Sequence, residues 1–288
     1  ITTHDTLRSF GNNYGWDQVH ELFKALEVGI KIYDEAHLEF TNIVKIDCYS
    51  NTKYTYYLTA TFGRSSVYED FVFNRCFKSI PKYEQKERTE YEGKKYIHYF
   101  CFFYKSRPTI DLINSLKNKY GFDRNRYAEY QLESDPEFYP HIKSILEIFT
   151  VQHHLKTLIL MTTIDGIESM ESYIHNTFPD LKITLYHSKL KDKEAKERGL
   201  LGADVIISTM KSLGVGADIP GLRAVLNTES YKSKIITEQV LGRLRKPESG
   251  SSFYVELVDE GFLTLKNQQQ VRSRVLKHLV GTITYVGQ

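Results

Sequence analysis

The chain has 288 residues, enough for two ordinary domains, with 41% hydrophobic and 26% charged residues and no apolar run long enough to cross a bilayer. A net charge of +2 sets up no strong overall field, so any nucleic-acid contact has to come from local patches. Three scattered cysteines (Cys48, Cys76, Cys101) without a C-x-x-C pair argue against a zinc site or a disulfide framework and for a reducing, intracellular compartment.

In chain order, the start "ITTHDTL" has no basic n-region, no apolar h-region and no initiator Met, so the chain is expected to begin within something larger. Residues 16–27, "WDQVHELFKALE", carry Val19, Leu22, Phe23 and Leu26 on one side and predict an amphipathic helix that Gly29 stops. The stretch "GIKIYDEAHLEF" (29–40) then reads as a buried strand whose alternating aliphatics run into Asp34, Glu35 and His37. Carboxylates buried there are costly without a partner. A second strand, "YTYYLTATF" (54–62), also ends in a polar cluster, and open α/β sheets carry their sites at the C-terminal ends of strands.

In the middle, "KKYIHYFCFFYKS" reads as a long strand leaving the first domain. "TIDLINSLKNKYG" reads as a helix closed by Gly121, and the Tyr-rich stretch after it as a linker or insertion. From residue 141 onward, strands such as "KTLILMT", "KITLYHS", "ADVIIST", "RAVLNTE" and "SFYVELVD" alternate with helical stretches, the pattern of a parallel, doubly wound sheet. The expected organisation is the C-terminal part of one α/β domain over 1–105, a linker or insertion over 106–140, and a second α/β domain over 141–288.

Four short stretches could carry chemistry. An acid at a strand end holds Mg2+ on a nucleotide's terminal phosphates in phosphate-hydrolysing enzymes, and a neighbouring carboxylate can activate the attacking water; "DEAH" serves equally well as a turn cap. Thr59 and Thr61 of "LTATF" lie two apart and present both hydroxyls to one face. In "EQVLGRLRK" (238–246), Gln239, Arg243 and Arg245 could reach a phosphate, and Gly242 inside a helix costs about 1 kcal/mol relative to Ala. In "STMKSLGVGADIP" (208–220), Gly214 and Gly216 allow close backbone approach, and Asp218 could accept from a ribose or order the loop.

The order of these stretches resembles the motif layout of superfamily 2 helicases. "DEAH" looks like motif II, "TAT" like motif III, "LILMTT" like motif IV, "STMKSLGVGADIP" like motif V and "QVLGRLR" like motif VI. The run "YKSKIITEQVLGRLRK" is most similar to the phage UvsW-type and repair-type DNA helicases. The resemblance implies two RecA-like parallel-sheet domains, the first incomplete at its N-terminus, with ATP and Mg2+ between them and a nucleic-acid strand above.

Carried onto this sequence, Asp34 would coordinate Mg2+ and Glu35 would activate water. His37 and Gln239 would link the nucleotide state to domain closure, and Gly216 and Asp218 would lie on the nucleotide. Arg243 and Arg245 would act as arginine fingers. Thr59 and Thr61 would couple motif II to the strand, and Thr2, Thr3, Thr162, Thr163, Ser208 and Thr209 would contact its phosphates. The implied partner is single-stranded or branched DNA, with RNA left open, and a viral or bacterial origin fits the UvsW-like run.

Two departures stand out. The family spaces its motif VI arginines as G-R-x-x-R, whereas Gly242-Arg243-Leu244-Arg245-Lys246 leaves Arg245 and Lys246 as alternatives for the second finger. The phosphate loop G-x-x-x-x-G-K-[ST] is missing from the sequence; "EGKKY" (92–96) lacks its first glycine and its Ser or Thr. The reading is therefore an ATP-dependent DNA helicase or translocase represented by its C-terminal portion, with no meaningful ATP turnover expected from this portion alone. The alternatives are an inert nucleic-acid-binding module with the same fold, or the motor part of a restriction or remodelling enzyme.

Overall fold

The computed structural model describes residues 2–34, 36, 40–59, 67–81, 94–119, 121–190, 193–213 and 218–287. The chain divides into two compact units, Ile1–Gln85 and Lys86–Gln288. Among the described residues no helix is long and apolar enough to cross a membrane.

The first unit runs α1 (His4–Tyr14), α2 (Trp16–Ala25), β1 (Ile30–Tyr33), α3 (Phe40–Tyr49), β2 (Tyr54–Tyr57) and α4 (Val67–Phe77). Thr3 caps α1 by accepting from the Thr6 amide. Gly15, at φ 97°, breaks the chain between α1 and α2 in a conformation that a side chain would disfavour. The two strands are parallel, with Ile30 opposite Tyr54 and Tyr33 opposite Tyr57.

The faces of β1 are the reverse of the sequence expectation. Ile30 and Ile32 are 58% and 61% exposed, while Lys31 and Tyr33 point inward. The reason is a polar cluster beneath the strand. Lys31 Nζ lies 2.5 Å from Asp47 Oδ1 and also donates to Ser50, and the Tyr33 hydroxyl donates to Asp47 at 2.8 Å. The Tyr57 hydroxyl donates to the other Asp47 oxygen. An ion pair with hydroxyl donors offsets the burial of charge, so the inward face needs no aliphatic residue. Leu7, Ala36, Ile43 and Ile46 complete the small core around Tyr33.

The second unit begins with β3 (Lys94–Tyr104), followed by α5 (Ile110–Ser115), a small hairpin of β4 (Lys117–Asn118) and β5 (Gly121–Phe122), α6 (Arg124–Glu133) and α7 (Phe138–Leu146), which runs on as a π-helical stretch, Glu147–Gln152. Then come β6 (Lys156–Met161), α8 (Ile164–Thr177), β7 (Ile183–Tyr186), α9 (Lys193–Gly202), β8 (Val205–Thr209), α10 (Met210–Leu213) and β9 (Leu222–Asn227). The chain closes with α11 (Lys234–Arg243), β10 (Ser252–Asp259), α12 (Leu263–Leu279) and β11 (Val280–Val286). Seven strands form one sheet in the order β11-β3-β10-β9-β6-β8-β7, and every pairing is parallel. Side chains alternate across it into two cores. Leu158, Ile206, Val225 and Tyr254 face one layer of helices, and Ile159, Ile207, Leu226 and Val255 face the other. This is the doubly wound α/β architecture the strand rhythm predicts.

Two boundaries differ from the sequence reading. The strand 94–104, expected to close the first domain, pairs with β10 from Ile97 to Tyr104 and with β11 on its other side. Its buried alternate residues, Ile97, Tyr99, Cys101 and Phe103, join one of the cores of this sheet. The 106–140 segment is built into the same unit: Leu116 and Tyr127 enter one core and Phe138 the other.

The last helix is fastened by a buried ion pair. Arg272 Nε and Nη2 lie 2.7 and 3.3 Å from the two oxygens of Glu256, each of which also accepts a tyrosine hydroxyl, Tyr254 at 2.7 Å and Tyr99 at 2.8 Å. Gly281 permits the register shift that starts β11, because a Cβ there would collide with the Lys95 carbonyl.

Candidate nucleotide and nucleic-acid site

In the first unit the two polar strand ends come together. The Leu58 amide donates to the Tyr33 carbonyl at 2.8 Å and the Ala36 amide to the Leu58 carbonyl at 2.9 Å, which sets Asp34 alongside Leu58 and Thr59. Asp34 is exposed and Thr59 half-buried. The His4 ring lies 5.4 Å from that of Tyr33, so Thr2 and Thr3 start the chain beside the same strand end. Both threonines are exposed, and Thr3 already serves as a helix cap. Glu35, His37 and Thr61 lie outside the described residues, as does Gly216 in the second unit.

In the second unit the expected site residues separate onto the two edges of the sheet. At the C-terminal ends of β6 and β8 stand Thr162, half-buried, Thr163, which caps α8 through the Gly166 amide at 3.0 Å, and Thr209, which caps α10 through the Ser212 amide at 3.2 Å. Ser208 is a correction. It is fully buried and its hydroxyl donates to the Tyr186 carbonyl at 2.5 Å, so it ties β8 to β7 and presents no surface to a strand.

The other group gathers at the N-terminal edge. α11 descends from the end of β9, so Gln239 and Arg243, both half-buried, lead to Arg245 near the starts of β3 and β10. Arg245 Nε lies 3.6 Å from Asp218 Oδ1, and both side chains are exposed. An exposed pair of this kind is worth about 0–1 kcal/mol, so a competing anion can readily recruit the guanidinium.

Sequence reasoning missed the residues that hold this edge. Lys94 Nζ donates to the Leu241 carbonyl at 3.2 Å and the Tyr96 hydroxyl to the Leu244 carbonyl at 2.8 Å, satisfying the end of α11 next to Arg243 and Arg245. Burial and the nearby Arg245 charge lower the Lys94 pKa, and burial raises that of Tyr96. Nearly 150 residues separate these partners, and no local pattern announces them.

Glu229 was likewise missed. Its two oxygens accept from the Met210 amide at 3.1 Å and from Arg124 at 2.8 Å, joining α6 to the start of the 208–220 segment. Burial raises its pKa against the pull of those donors.

No protein-family model matches the sequence, and no curated protein matches it. Among solved structures the chain is similar to S. cerevisiae Dbp5 bound to RNA and ADP BeF3, with a TM-score of 0.55 and 16% identity over 93% of this chain and 63% of that one. A point variant of Dbp5 in the same complex gives the same values. The fold is RecA-like. T4 UvsW is also similar, at 15% identity and a TM-score of 0.47 over 94% of this chain and 57% of that one. At these identities the likeness is one of fold. The chain spans less than two thirds of the length of Dbp5 and UvsW.

Proposed function

We propose that the chain belongs to an ATP-dependent nucleic-acid motor of the superfamily 2 type, DEAH-like in its acidic motif, working on single-stranded or branched DNA by unwinding, annealing or branch migration. The observation that supports the reading is a separation of these residues across the second unit. Residues assigned to the strand, Thr162, Thr163 and Thr209, share one edge of the sheet. Residues assigned to the nucleotide, Asp218, Arg243 and Arg245, share the other.

Asp34 is an exposed carboxylate at a strand end, a donor suited to a divalent ion on nucleotide phosphates. Glu35 beside it takes the proton of the attacking water, and Arg243 with Arg245 or Lys246 neutralises charge developing on the transferred phosphoryl group. Thr59 and Thr61 connect this chemistry to the strand, and His37 and Gln239 report the nucleotide state. The phosphate-cradling loop G-x-x-x-x-G-K-[ST] is not in the 288 residues, so this chain by itself is expected to show no meaningful turnover.

The experiment is ATP turnover by the protein from its natural source, with and without forked DNA and with RNA as the alternative strand. Stimulated turnover that disappears in Glu35→Gln supports a motor. Turnover that survives Glu35→Gln refutes the assignment. Binding without any turnover favours an inert nucleic-acid-binding module.

A further inference from the structure

Tyr285 sits near the C-terminal end of β11, the edge strand of the sheet, and is 44% exposed. Its ring is nevertheless held in place. The hydroxyl shares a 2.6 Å hydrogen bond with Ser273 Oγ on α12, and the ring lies 6.0 Å from Phe103 and 6.4 Å, edge-on, from Tyr99. A large apolar face that is both exposed and fixed is a stacking platform, because its ordering entropy is lost before any ligand arrives.

Beside the ring runs a groove of about 330 Å3 lined by Phe103, Lys266, Gln270, Ser273, Arg274 and Tyr285. Lys266, Gln270 and Arg274 recur every fourth residue and so share one face of α12. The lining has two cations and no carboxylate; the neighbouring acid, Glu260, pairs with Lys266 at 2.7 Å. The ring lies towards the same C-terminal edge of the sheet as Thr162, Thr163 and Thr209. From β6 to β11 is four strand positions, roughly 19 Å at ~4.8 Å each.

We propose that this groove is a nucleic-acid subsite: one base of a single strand stacks on Tyr285, and the flanking phosphates meet Arg274 and Lys266. Gln270 offers an amide to the base edge. Aromatic stacking tolerates any base, as a motor indifferent to sequence requires, and Arg274 supplies the phosphate attraction, joined by Lys266 where a phosphate displaces Glu260. The inference rests on the nucleic-acid reading above and extends its footprint along the sheet edge to the last strand.

The test is fluorescence anisotropy of the full chain with labelled single-stranded DNA and RNA oligonucleotides of about twelve nucleotides, a length within the usual site range. Tyr285→Leu is expected to weaken binding roughly 5- to 100-fold, the range for loss of one stacked base, while Tyr285→Phe keeps most of the affinity. Arg274→Ala is expected to weaken binding and lower the salt slope by about 0.7. Far-UV circular dichroism checks that each variant is folded, and Arg274, exposed on the helix, gives a readout even where a Tyr285 variant is unstable. Wild-type affinity and an unchanged salt slope in Arg274→Ala, or in folded Tyr285→Leu, overturn the subsite while leaving the nucleic-acid reading intact. No binding of either oligonucleotide by the unaltered chain overturns both. The DNA and RNA arms show which sugar the subsite accepts.

Discussion

Replacing Arg272 with Met leaves the side-chain volume nearly intact and removes the cation from the pair that fastens α12. Arg272 is 4% exposed and Glu256 fully buried, so no water reaches the stranded carboxylate. Two tyrosine hydroxyls, from Tyr99 and Tyr254, still donate to it, but they do not neutralise it. The substitution also removes a donor to the Tyr231 carbonyl and a guanidinium stacked 4.9 Å from the Tyr231 ring. Breaking such a buried pair costs about 3–5 kcal/mol. With a urea m-value of about 2 kcal/mol/M, the midpoint of the second unit should fall by about 1.5–2.5 M.

Far-UV circular dichroism is the proper probe for Arg272→Met, because the single tryptophan, Trp16, lies in the first unit and its fluorescence reports on that unit. In Glu256→Leu/Arg272→Met both charges are gone, and stability should recover in part but not fully, because two buried tyrosine hydroxyls lose their acceptor. A cost below about 1 kcal/mol for Arg272→Met would refute this account of the ion pair.

Three further outcomes follow from the geometry. Lys156 Nζ donates to the carbonyls of Leu200, Leu201 and Pro220, each at 3.0 Å, so Lys156→Met should destabilise the second unit by about 1–3 kcal/mol, read as a lower thermal midpoint. Burial raises the folded pKa of Asp135, Glu229 and Asp259, so the folded state holds those protons more tightly. Their contribution is fully present below the ordinary carboxylate pKa and is lost as pH rises through the raised values. Urea titrations across the acid range should therefore show a shallower pH slope in Glu229→Gln than in the unaltered chain. Gly15→Ala places a side chain at φ 97° and ψ 145° with open space around it, so the cost should be conformational alone, about 1–3 kcal/mol, and visible in the unfolding of Trp16 fluorescence.

Much of the second unit is legible before any coordinates. Each strand from "KTLILMT" to "SFYVELVD" is a predominantly apolar run bounded by helix signals, and in a parallel sheet both faces of a strand are covered, so the run itself identifies the element. The caps at Thr163 and Ser233 are equally local. The failures are all non-local. "IKIY" predicts aliphatic burial, yet Lys31 and Tyr33 face inward because Asp47 on α3 and Ser50 just after it wait below them. "KKYIHYFCFFY" is plainly a strand, but nothing within it says which sheet it joins. Its partners begin at Ser252 and Val280.

The chain by itself determined which segments are strands and helices, and the order of its polar motifs, since both follow from periodicity and neighbouring residues. Only the tertiary structure decided which side chains meet. It took Thr162, Thr163 and Thr209 to one edge of a sheet and Asp218, Arg243 and Arg245 to the other, enclosed Ser208, and set Lys94 and Tyr96 against the end of α11. The physical reason is that burial, charge pairing and hydrogen-bond closure depend on distance in space, and each of these contacts joins residues that the chain itself holds far apart.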